Sequence, residues 1–169
     1  MQLFLNKKFK QILTAVFVTL SISSCGPVTP LTIPQVTSLV TVDASSYSGD
    51  IIYRGPEMTF LGNNVDGMAS LARYGLVANI KKSGSNEYFL LITTSDLEYY
   101  RSCYLAGHGI LDMEHILGVK FNNHGAVLSR SLLERYKNQG LMIQLSGSRG
   151  RLNLSVPSAQ VSGFLNALR

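Results

Sequence analysis

The stretch from residue 141 to 168 leaves this chain few ways to fold. Leu141, Ile143 and Leu145 alternate with smaller or polar residues, and Leu152, Leu154 and Val156 do the same across "SGSRG" (146–150). Side chains on a strand alternate between its two faces, so one face of this hairpin meets a core and the other meets water. Gln144, Asn153 and Ser155 hold the wet face. Met142 is the one large aliphatic on that side. Pro157 then closes the strand and suits the first turn of a helix. Val161, Phe164, Leu165 and Leu168 follow at i, i+3, i+4 and i+7, a single apolar stripe. A half-buried antiparallel hairpin running into an amphipathic helix near 158–168 therefore anchors the prediction.

Upstream segments carry the same period of two. "RYGLVANIKK" (73–82), "SGSN" (83–86) and "EYFLLITT" (87–94) read as a hairpin. Its second arm is so apolar that it predicts a central strand covered on both faces. "SLVTVDA" (38–44) reads as a first strand, "IIYRG" (51–55) as a short second one, and "LEYYRSCYLAG" (97–107) as another. "PEMTFLGNNVDG" (56–67) is ambiguous. "HILGVKF" (115–121) and "AVLSR" (126–130) form a further hairpin around a turn at "NNHG" (122–125). A short helix is expected near 131–139: Ser131 and Glu134 have capping-box spacing, and Gly140 fits a left-handed stop. The fold class is α+β, a mostly antiparallel sheet or sandwich with two late helices.

The N-terminus follows different rules. Lys7, Lys8 and Lys10 precede the short apolar run "ILTAVFVTLSI" (12–22), and small Ser23 and Ser24 come next. Basic, apolar, then small is the layout of a secretory signal. The run is short for a membrane span, which needs about 20 apolar residues. "Ile22-Ser23-Ser24-Cys25" resembles the lipobox of bacterial lipoproteins. The resemblance covers the first 25 residues only. It implies removal of residues 1–24, a thioether-linked diacylglycerol on Cys25, and membrane attachment through that lipid. Gly26, rather than Asp, resembles the lipoproteins sent to the outer membrane, facing the periplasm. Residues 25–36 then read as the lipidated cysteine and a tether, its prolines at 27, 30 and 34 opposing helix and lifting the domain off the lipid. Residues 37–169 form a single globular domain.

Charge excludes one class of partner. The chain carries 15 Lys and Arg against 10 Asp and Glu, a net of +5. Three of those lysines lie in the signal segment, which leaves 12 against 10 from Cys25 onward. Such a balance offers no electrostatic footprint for nucleic acid.

The chemistry-bearing residues gather in 99–124. Cys103, His108, Asp112, Glu114, His115 and His124 could be drawn as a metal site, but the histidines are seven and nine residues apart. Zinc ligands come in tighter pairs, so no metal or cofactor is expected. Cys103 with a histidine could form a thiol catalyst only if the fold brought them together. If lipid consumes Cys25, Cys103 is left single, as a buried inert thiol or as a reactive one. Tyr99, Tyr100, Arg101 and Tyr104 are the candidate binding residues, because an exposed Tyr/Arg row suits a contact surface. Cross-strand aromatic packing explains them equally simply and is preferred. The expected role is a non-catalytic accessory or protein-interaction module of the envelope, with an envelope protein as partner. The alternative is a periplasmic enzyme or small-ligand binder using 99–124. A strand edge open to self-association is a third reading.

Overall fold

The computed structural model describes residues 30–44, 48–63, 69–94, 100–116, 122–147 and 150–168; at 61–63, 69, 70, 115, 116, 122 and 123 it describes the backbone alone. Among the described residues, the chain forms two antiparallel sheets and three helices. The first sheet has strands β1 (Thr41–Ala44), β2 (Ile51–Arg54), β3 (Met58–Asn63), β4 (Ala69–Ile80), β5 (Asn86–Thr94), β8 (Met113–Ile116) and β9 (Asn122–Leu128). Their order is β1-β2-β4-β5-β9-β8, and β3 also pairs with β4. The second sheet has β6 (Tyr100–Leu105), β7 (Gly109–Leu111), β10 (Leu141–Gly147) and β11 (Arg151–Val156), in the order β11-β10-β6-β7. Asp112 alone separates β7 from β8, so the chain changes sheets within one residue. The α+β expectation is met.

The late hairpin forms as its alternation requires. Leu141, Ile143, Leu145, Leu152, Leu154 and Val156 are all buried, and Leu145 pairs with Leu152. The two sheets and two helices, α2 (Arg130–Tyr136) and α3 (Ser158–Ala167), contribute to one buried cluster. Tyr74 on β4 ties the sheets together by donating from its hydroxyl to Ser155 O on β11, at 2.8 Å. Val161, Phe164 and Leu165 of α3 are buried as their spacing predicts.

Several boundaries differ from the sequence reading, each for a local reason. A helix, α1 (Ile33–Leu39), occupies part of the stretch read as tether and as strand. Pro34 does not prevent it, because a proline in the first turn removes only an N–H that has no partner there. Gln35 Oε1 accepts from the Thr32 backbone N–H at 2.8 Å and from its hydroxyl at 2.9 Å, which fastens the helix start. The strand then begins at Thr41 rather than Ser38.

Helix α2 is capped two residues earlier than expected. Ser129, not Ser131, accepts from the Leu132 N–H at 3.1 Å, while Glu134 pairs with Lys137 at 3.1 Å. Gly140 ends the turn after the helix with φ +78°, as expected. "NNHG" is not a turn: it opens β9, and His124 is a strand residue. Strand β5 is central, yet only one of its faces is fully buried; Glu87, Phe89, Leu91 and Thr93 are half-exposed.

Candidate functional site

The reactive side chains of 99–124 divide between the core and the surface. Cys103 lies on β6, flanked in register by Leu145 and Leu111, and is wholly buried. Burial pushes its thiol up to about 12, because the thiolate cannot be solvated there. His108 is exposed in the β6–β7 turn, where its backbone N–H donates to Leu105 O at 3.1 Å. Asp112 and Glu114 are exposed as well. A buried thiol and a solvent-facing imidazole do not make a nucleophile–base pair. His115 stands opposite His124 in the β8–β9 register. His124 is buried, and its ring meets Tyr100 edge-on, with centroids 5.7 Å apart and planes at 81°. Among the described residues no group of three or more His, Cys, Asp or Glu could hold a metal ion.

The tyrosine row splits at a β-bulge. On β6, Ser102 pairs with Ser146 but Tyr100 pairs with Gly147, so Arg101 is an extra residue on its strand. A bulge of this kind turns the strand by one position. Tyr100 therefore enters the core at 1% exposure, whereas unbroken alternation would have kept it beside Tyr104 on the outer face. Arg101 and Tyr104 remain exposed. Tyr99 and Cys25 lie outside the described residues. Of the four residues proposed for binding, the structure keeps Arg101 and Tyr104 on the surface and assigns Tyr100 to packing.

Tyr104 has apolar company that the sequence reading did not assemble. It stands directly opposite Ile110 of β7, which is 77% exposed. Its other register partner is Gln144, two residues from Met142, which is 57% exposed on the same outer face. The Ala106 N–H donates to Met142 O at 3.0 Å and holds that end of the two strands together. Beside Met142 opens a hollow of about 270 Å³, lined by Ala106, Gly107, Arg135, Tyr136, Gln139 and Gly140. Its floor is fixed: the Tyr136 hydroxyl donates to Ala106 O at 2.9 Å, and the Arg135 guanidinium lies 5.7 Å from the Tyr136 ring centre. The surface thus combines exposed apolar side chains, a shallow hollow and the Arg135 guanidinium.

Met142 was visible as the one aliphatic on the wet side of its strand. Ile110 carried no such signal, because the three residues of β7 are too few to show a period. A second cavity, about 50 Å³ in volume, lies on the first sheet beside Arg54, Glu57, Arg73 and Leu91. It has room for a few waters only. Among the described residues no helix is long and apolar enough to cross a membrane. Compared with known protein families, curated proteins and solved structures, the chain matches none.

Proposed function

We propose that this chain is a bacterial lipoprotein whose folded domain is a non-catalytic interaction module of the cell envelope. In this reading the chain is exported, cut before Cys25 and lipid-modified there, and stays at the outer membrane facing the periplasm. Each buried CH₂ of an acyl chain contributes about 0.8 kcal/mol, so two or more chains hold a protein firmly. The domain's task is then to dock an envelope protein.

The observation that carries the docking role is the exposed trio of Tyr104, Ile110 and Met142 on three neighbouring strands. Large apolar side chains grouped on a wet sheet face cost solubility and mark contact surfaces. Tyr and Arg are the side chains that most often anchor such contacts, and Arg135 lines the hollow beside Met142. The separation of Cys103 from His108 also favours docking over thiol chemistry.

Two measurements test the reading. The first is the intact mass of protein extracted from membranes, beside a Cys25→Ala variant. A wild-type chain that starts at Cys25 and carries acyl mass, with neither in the variant, supports the anchor. An unlipidated, released wild type refutes it. The second places a photo-cross-linking residue at position 110, and separately at Ser85 in the β4–β5 turn, in intact cells. One defined adduct from position 110, absent from position 85 and abolished by Met142→Asp, supports docking. Equal adducts from both positions, or none from 110, refute it.

A further inference from the structure

We propose that the domain lies against the bilayer through an apolar shelf formed by β1 and β2. This rests on the lipid anchor at Cys25. Val42 pairs with Tyr53 and Ala44 with Ile51, so these four residues share one face of the β1–β2 hairpin. Tyr53 and Ile51 in turn stand opposite Ala78 and Ile80 of β4. Ala78 is buried, and Tyr53 and Ile80 pack against the core. The shelf is thus the core-facing side of the first sheet, continued beyond the core. Its outer part is open: Val42 is 56% exposed and Ile51 36%. The charged pair of this hairpin, Arg54 and Asp43 at 3.5 Å, occupies the opposite face.

Chain length selects the occupant. Helix α1 begins at Ile33, so only eight Cα–Cα steps separate its start from Cys25. Fully extended, they reach about 26–29 Å. A domain of this size is about 35–40 Å across. The lipid therefore holds the α1–β1 edge closer to the membrane than the domain is wide. An apolar face at that edge meets the condition for lying in the headgroup boundary, where apolar side chains are buried about 5–10 Å deep. An early helix makes the tether shorter than the sequence implied.

The test uses the full chain, purified from membranes with its acyl groups and returned to vesicles of phosphatidylethanolamine and phosphatidylglycerol. An environment-sensitive fluorophore is attached at Val42→Cys, at Ile51→Cys, or at Ile110→Cys as the comparison. Cys103 is buried and does not take the label. The expected result is a blue shift at 42 and 51, with loss of emission to a quencher carried on the lipid chains and no change at 110. Solvent-like emission at 42 and 51, in protein whose mass shows acylated Cys25, overturns the shelf and leaves the anchor standing. A blue shift already present in detergent that grows with protein concentration assigns the shelf to a second copy of the chain and overturns it too. Protein without acyl mass overturns both the anchor and the shelf.

Discussion

Replacing Gly163 by Ala should destabilise this protein, although the same change in an exposed helix stabilises by about 1 kcal/mol. Gly163 lies in α3 where α1 crosses it. A Cβ built there would stand 2.5 Å from Val36 Cβ, 2.6 Å from Val36 Cγ1 and 2.9 Å from Ile33 O. Carbon atoms in ordinary contact are about 3.5–4.0 Å apart, so α1 has to move outward by about 1 Å or more. Two responses are open. If α1 shifts but stays docked, overpacking costs about 1–3 kcal/mol. If it leaves, Val36 loses its burial, worth about 1.5–3 kcal/mol. The Thr37 hydroxyl also leaves Gly163 O, at 3.1 Å, but keeps its nearer acceptor Ile33 O, at 2.9 Å, so this adds little. The cheaper response governs, so the net loss after the helix-propensity gain is about 0–2 kcal/mol. Urea denaturation of the full chain measures it, and hydrogen exchange at residues 36–40 shows whether α1 has loosened. Val36→Ala should not rescue, because the nearest clashing atom is the Cβ that alanine keeps; Val36→Gly should couple favourably with Gly163→Ala. A gain of about 1 kcal/mol in Gly163→Ala, with residues 36–40 still protected, would refute the close-packed crossing.

Three further outcomes follow from single contacts. Gly140→Ala should cost at least about 2 kcal/mol, since it joins a left-handed backbone to a clash; the added Cβ would stand 2.4 Å from Val156 O at φ +78°. The denaturation midpoint checks this, and an unchanged midpoint contradicts it. Ser129→Ala should cost about 1 kcal/mol as a lost cap, while Ser131→Ala stays within about 0.5 kcal/mol, and a reversed order in thermal melts would return the cap to Ser131. In the Cys25→Ala chain, Cys103 is the only thiol, and it should react with a maleimide only after unfolding. Its thiol is held protonated up to about 12 in the fold, against an ordinary 9.0, so its contribution to stability is full below pH 9 and is lost as pH rises toward 12. Rapid labelling of the native protein at pH 8 would show that Cys103 is not buried as described.

Legibility in the sequence tracked the number of residues that repeat a pattern. The hairpin at 141–156 and helix α3 were readable because six and four apolar positions hold one period. Helix α1 was not, because its seven residues bury only Val36 against α3, and a single apolar contact leaves no stripe. The β-bulge at Arg101 was invisible for a related reason. Alternation assumes an unbroken register, and the shift arises from how β6 meets β10, forty residues away. The error at "NNHG" was one of weighting: local turn propensity lost to the pairing of β9 with both β5 and β8. Of these, the candidate surface depended only on the bulge. Tyr100 left it through the bulge, Ile110 joined it through the short β7, and Met142 alone had announced itself by breaking its strand's alternation.

The two proposed surfaces make opposite demands on the domain, and the strand order meets both. β1, which carries Val42, is one edge of the first sheet; β8 is the other edge on its main path. Five strand spacings of about 4.8 Å put roughly 24 Å between them. Ile110 on β7 is only three residues before β8, so the apolar trio is linked to the edge remote from β1. A domain resting on lipid through β1 would keep Ile110 at its far edge, where a protein partner could reach it. Had both apolar patches stood on the same edge, the bilayer would have covered the docking surface and one proposal would have excluded the other. The combination therefore has its own consequence. Met142→Asp should abolish the adduct from position 110 without altering the emission of a label at 42, and Val42→Asp should release the shelf without weakening that adduct. Loss of both signals from either single change would mean that the two faces are one site, and the assignment of separate membrane and partner edges would fail.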